Sequence, residues 1–214
     1  TAQGKVFATL GDGTTFTIFS DDIAAALPGS PPGWSNDLPF VSFAQFRGEL
    51  VVCNGIDKPL RIYPTLRVEY LSDKATGSNV NVPIGKYVAT ADRYTVIAGI
   101  PREPALLQFS STDTNGTYIG DPSPNDATEF NLGAFVTQGS TRIKGIHAFR
   151  DRLIVSFDEV IIVMSLGTFD EQGTHIPNVD DVVPQHGTVS HRAVQSLGED
   201  MYFCDIRGVP SVRR

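Results

Sequence analysis

Residues 149–159 read FRDRLIVSFDE: an apolar residue, a short polar turn, a run of β-forming residues and a second polar turn. The same plan recurs in FRGELVVCNG at 46–55, ADRYTVIAG at 91–99 and LGEDMYFCDIRG at 197–208. The leading strand residues of the four copies, Leu50, Tyr94, Leu153 and Met201, lie 44, 59 and 48 positions apart, and Phe7 in the first hairpin precedes them by 43. Short strands repeating at 40 to 60 residues are the pattern of β-propeller blades, each a small antiparallel sheet that buries its faces only against its neighbours. The longest loops, Pro28 to Pro39, Ser72 to Lys86, Asp121 to Thr128 and Gly167 to Gly187, fall once per repeat. That placement favours a propeller over a β-sandwich of Greek-key layers, which needs strands of the same length.

Composition supports a mainly β chain. Val, Ile, Thr, Phe and Tyr supply 72 of 214 residues, and these types suit a pleated, half-buried surface. Asp outnumbers Glu 17 to 7, which favours turns over helices. With 41% hydrophobic residues the chain is not intrinsically disordered, and its longest apolar stretch, Val160 to Met164, is far shorter than a bilayer span. The opening KVFATLGDGTTFTIF alternates on both sides of Asp12-Gly13, a hairpin signal. Ile23 to Leu27, between Asp22 and Pro28, allows about one helical turn. We divide the chain into residues 1–42, a hairpin plus a Pro/Gly-rich loop contributing to the first blade, and residues 43–214, the repeated blades of the same domain. Neither TAQGKVFATL nor GVPSVRR reads as a natural terminus, so an excerpt of a longer polypeptide is expected.

A formal charge of −7 with dispersed cations argues against electrostatic gripping of nucleic acid, which needs clustered Lys and Arg. Cys53 and Cys204, 151 positions apart in apolar surroundings, read as buried free thiols. Chemistry is sparse. His147, His175, His186 and His191 match no metal-ligand spacing, although His186 and His191 with Thr188, Ser190, Asp180 and Asp181 can be drawn as a metal or nucleophile site. Asp121, Asp126 and Glu129 lack the order of a calcium loop and read as solvated turns. Ser111, Asp113, Asn115, Thr117 and Tyr118 form a near match to the Asp-box turn S-x-D-x-G-x-T-[WF], with Asn at a glycine position. Such a turn braces a hairpin and carries no catalysis by itself. A hydrolytic propeller would also need Arg93, Arg102, Glu129 or Asp158 to converge at the ring centre. The expectation is a non-enzyme with no catalytic, cofactor-binding or metal-binding residues.

DPSPNDATEFNLG, STRIKGIHAFRDRLIVSFDEVIIVMSLG and GTVSHRAVQSLGEDMYFCDIRGVPSV together resemble the tail nozzle (tail tubular protein B) family of short-tailed bacteriophages. The matching features fall on Asp121 to Phe130, Ile143 to Val155, Val160 to Ser165 and Gly187 to Val212, and FRGELVVCNGIDKPLRIY resembles an earlier blade of that family. Glu129-Phe130 stands where Trp or Tyr is frequent, and Gly167 to Gly187 does not match. The resemblance, covering roughly Phe43 to Val212, implies a virion structural protein assembled in the host cytoplasm. It would be a subunit of a sixfold homo-oligomeric ring at the end of the tail, contacting the tail adaptor and the fibre or tip proteins. DNA would pass through it without specific binding during genome ejection, and an acidic chain repels phosphate. Trp34, in a polar loop, is the candidate subunit contact, or else a cap on the local core. The alternative is a propeller that binds or hydrolyses carbohydrate.

Overall fold

The computed structural model describes residues 7–9, 15–17, 40–64, 68–71, 81–112, 116–119, 126–167 and 176–212. Strands β1 (Phe7–Thr9) and β2 (Thr15–Thr17) pair antiparallel in a sheet of their own. Three four-stranded antiparallel sheets follow. The first holds β3 (Ser42–Phe46), β4 (Glu49–Cys53), β5 (Leu60–Ile62) and β6 (Val68–Tyr70). The second holds β7 (Tyr87–Ala91), β8 (Tyr94–Ile100), β9 (Glu103–Phe109) and β10 (Thr128–Asn131). The third holds β11 (Gly145–Phe149), β12 (Arg152–Ser156), β13 (Val160–Ser165) and β14 (Asn178–Pro184). A last sheet comprises β15 (Val194–Leu197), β16 (Asp200–Phe203) and β17 (Ser211–Val212). Neighbours in each sheet are neighbours in sequence, so each is a meander of the propeller-blade kind. The fold is all-β and propeller-like. Among the described residues no helix is long and apolar enough to cross a membrane.

The repeat recognised in the sequence is the first hairpin of each blade. Phe46 pairs with Glu49, Ala91 with Tyr94, Phe149 with Arg152 and Leu197 with Asp200, leaving two-residue turns. The first turn residue has positive φ in every case: Arg47 at 47°, Asp92 at 52°, Arg150 at 57° and Gly198 at 61°. Tight hairpins need that backbone because its twist matches the flanking strands. The opening hairpin differs: Thr9 pairs with Thr15, and Asp12-Gly13 lies outside the described residues.

Period-two alternation sends successive side chains of one strand to different neighbours. On β8, Tyr94, Val96 and Ala98 join a core shared with the third blade, whereas Ile97 joins Val51, Cys53 and Tyr118 in a core shared with the first. On β12 and β13, Leu153, Val155, Ile162 and Met164 face the second blade, while Ile154 and Ile161 pack on Met201 and Phe203 of the last sheet. The apolar run VIIVM therefore has two partners rather than one exposed face. Inner strands line up side by side, β3 on β7 and β7 on β11. The Ser42 hydroxyl donates to the Val88 carbonyl and accepts from the Val88 N–H, and Thr90 Oγ1 donates to the Gln45 carbonyl over 2.7 Å.

In the first blade, Arg61 is 1% exposed on β5. Its guanidinium lies 3.5 Å from a carboxylate oxygen of Glu49 and 3.5 Å from one of Glu69, and it donates to the Tyr63 hydroxyl at 3.1 Å. The pairing places Glu69 directly across the strand from Arg61, so desolvation of the cation is offset by two carboxylates.

Two expectations need correction. The segment from Gly167 to Gly187 is not a loop throughout, because Asn178–Pro184 forms β14 against β13. As an outermost strand it buries little, and its Asp-rich sequence lacks the apolar alternation of a core strand. Cys53 is buried and free, but Cys204 is exposed, since it follows Phe203 on the opposite side of the chain as β16 ends. The candidate helical turn at Ile23 to Leu27 lies outside the described residues.

Ile97 and Ile162 are fully buried at the two blade interfaces, so Ile97→Ala and Ile162→Ala should each cost about 2 to 5 kcal/mol. Val163→Ala, at a half-buried site on the same strand as Ile162, should cost less. Urea denaturation of the three variants measures the difference, and equal costs would contradict interface burial as the source of stability.

Candidate functional site

A cleft of about 390 Å³ opens where the entries to β7 and β11 meet the β8–β9 turn and the segment after β4. Each side chain is placed by backbone bonds to a neighbouring strand. The Lys86 N–H donates to the Ala98 carbonyl, Ile143 N–H to Pro104 O, and Lys144 N–H to Ser156 O at 2.7 Å. Alternation then turns Tyr87 and Ile143 into the core and leaves Lys86 and Arg142 exposed at the rim. Asn54 Oδ1 accepts from the N–H groups of Ile56 and Asp57, fixing the turn after β4. Gly55 has φ +81, and a Cβ there would stand 3.1 Å from Lys86 Cβ, so the turn admits the lysine stem only with glycine.

The cleft is cationic and aromatic. Lys86 Nζ lies 4.9 Å from the centre of the Phe40 ring and 5.5 Å from that of Tyr87, and Arg192 lies 5.2 Å over Phe40 from outside the cleft. Burial, then repulsion from Lys144 and Arg142, lowers the Lys86 pKa below its ordinary value. Lys144 pairs with Asp158 at 2.9 Å. No carboxylate among the described residues pairs with Lys86 or Arg142.

Behind Tyr87 the rings of His147 and His191 stack at 4.4 Å, and His191 also meets Phe40 and Tyr87. His191 sits on a short 3₁₀ turn, His191–Ala193, capped by Ser190 Oγ, which accepts from Arg192 N–H. Gly145 makes room for it, since a Cβ there would lie 3.1 Å from His191 Cα. Burial, then the neighbouring His191, pushes His147 down to about 3. Burial, then Arg192 and Lys86, pushes His191 down to about 4. Both rings are neutral at physiological pH, so they pack as aromatic groups.

Of the residues drawn together in the sequence, Thr188 and Ser190 bond to one another, while the histidines and aspartates engage other partners. His186 Nδ1 lies 3.3 Å from Asp205, His191 stacks on His147, and Thr188 Oγ1 donates to the Ser190 carbonyl. Asp180 is on β14, where it accepts from Arg152, Ser165 and Asn178, and Asp181 accepts from Val182 N–H. Arg93 is in the β7–β8 turn, at the opposite end of the second blade from Arg102 in the β8–β9 turn. Glu129 on β10 accepts from Gln108, and Asp158 holds Lys144. The four do not converge. Asp113, Asn115, Asp121, His175 and Trp34 lie outside the described residues.

Of the Asp-box-like stretch, Ser111 N–H donates to the Thr117 carbonyl at 2.9 Å, and Tyr118 is fully buried between the first and second blades. Asp126, considered for calcium, instead accepts from the Ser111 hydroxyl and from the Thr112 N–H and hydroxyl. Burial works to raise its pKa, but these hydrogen bonds outweigh that and hold it below the ordinary value. The cleft itself escaped the sequence reading: its residues come from five separate segments. The available signal was a cation just before an inner strand, in GKY at 85–87 and RIK at 142–144.

Asp126→Ala removes acceptors for three donors and should destabilise by about 1 to 3 kcal/mol. Because the folded pKa is depressed, the Asp126 contribution is present above the unfolded value near 3.8 and is lost as pH falls through the folded one. For the histidines the unfolded chain binds more protons between the folded values and 6.5, so stability should fall with pH from about 6.5 toward 4. The slope is up to about 1.4 kcal/mol per pH unit for each ring. The pair His147→Gln and His191→Gln should flatten that part of a melting-temperature profile.

No protein-family model and no curated protein matches the sequence. Among solved structures, the chain is similar to KlHsv2 with loop 6CD replaced by a Gly-Ser linker, at 12% identity and TM-score 0.44, over 82% of this chain and 48% of that one. It thus spans about half the length of that structure. The computationally designed Ika4 protein is similar at 14% identity and TM-score 0.46, over 88% of this chain and 96% of that one.

Proposed function

We propose that the protein is a non-enzymatic structural subunit of a ring, the tail nozzle of a short-tailed bacteriophage. The observation that carries this reading is the blade stack, in which the second and third sheets are buried on both faces. Such a stack is stiff, because sliding one blade would unpack two interfaces at once. The last sheet covers the third blade with Met201 and Phe203, and its other face carries Gln195, Leu197 and Tyr202, with Leu197 69% exposed. In a ring, such a face receives the next element of the assembly, whose patch differs from its own. The formal charge of −7 suits a conduit that must not retain its DNA.

Negative-stain electron microscopy and mass photometry of the purified protein test the proposal. A closed ring of identical subunits, with no retardation of duplex DNA at about 0.1 M salt, is the expected outcome. A monomer with glycosidase activity would overturn it.

A further inference from the structure

We infer that the cleft where the first three blades meet is a binding site for a small oxyanion carried on a ring-sized body, such as a carboxylated or phosphorylated monosaccharide. Three observations meet there. Lys86, Arg142 and Lys144 stand around one opening, and Asp158 engages only Lys144 among the described residues. The positive charge left over is concentrated: besides burial, the nearness of Lys144 and Arg142 lowers the Lys86 pKa, so an arriving anion relieves repulsion at Lys86 as well as gaining attraction. Beside the charges, the half-buried Phe40 ring, with Ile100 and Pro104, gives a ring-sized body apolar surface to cover. A volume of about 390 Å³ is at the small end of ligand pockets and admits one such unit, not a polymer segment.

The groups divide the work. Arg142, with a planar fork of donors, suits two oxygens of a carboxylate or phosphate, and Lys86 is a mobile point charge on the other side of the opening. The backbone bonds of Lys86 to Ala98 and of Lys144 to Ser156 fix the main chain from which these cations project, so only side-chain freedom is left to be ordered by a ligand. The site is independent of the ring proposal, since it lies within one chain.

Isothermal titration with glucuronate, glucose 6-phosphate and glucose tests the inference on the intact protein. At least one of the two anions should bind with a Kd of about 1 mM or tighter, weaken as salt is raised, and leave glucose silent. Preference for glucuronate assigns a carboxylate ligand, and preference for glucose 6-phosphate a phosphate ligand. Lys86→Gln and Arg142→Gln should each weaken binding about tenfold. Both side chains are exposed, so melting temperature should not move. Arg93→Gln, in the turn at the other end of the second blade, should bind as the parent does. Silence from both anions, equal binding of glucose, or binding unchanged in Lys86→Gln and Arg142→Gln would overturn the inference.

Discussion

Burial of one sheet on both faces is the constraint from which the other features descend. A strand exposed on one side can alternate apolar and polar residues, whereas β8, β12 and β13 must satisfy an apolar neighbour in each direction. That requirement explains the continuous runs YTVIA, LIV and VIIVM. It also sets where polar groups can go. Thr95 and Ser110 are buried but joined, the Ser110 hydroxyl accepting from Thr95 N–H, and Ser42 bridges two inner strands through its own hydroxyl. The first blade admits a whole charge network only because Arg61 has carboxylates on both sides of it.

The cleft follows from the same constraint. Where inner strands begin, alternation has one residue pointing into the core and the next pointing out, so Tyr87 and Ile143 anchor while Lys86, Arg142 and Lys144 are presented. Chain segments more than fifty residues apart are thereby brought to one opening without any loop having to fold independently. The stacked histidines serve as filling beneath it: burial keeps them neutral, and neutrality lets them lie face to face beside Lys86 and Arg192.

How much of this was legible in the sequence depends on how local each signal is. The first hairpin of every blade was readable because its turn and its apolar strand are contiguous. Outer strands were harder. β14 reads NVDDVVP, in which half-buried Val179, Val182 and Val183 follow no regular alternation and Asp180 meets Arg152 and Ser165, partners that no local pattern announces. Cys204 shares its apolar context with Cys53, yet a one-residue step at a strand end separates a buried thiol from an exposed one. The cleft left almost no local trace, because its chemistry arises from the meeting of Lys86, Arg142 and Phe40 across blades. In the sequence His191 groups with His186, and only the fold reveals that its ring partner is His147.

Among the described residues, strand order equals chain order in every sheet, with no crossover and no strand borrowed from a distant segment. Most pairings are therefore made between residues close in sequence, which lowers the entropy lost before contacts form. During synthesis, each blade has all its strands as soon as its own residues have left the ribosome, and the next blade can add to a finished surface. The architecture grows in one direction, blade upon blade.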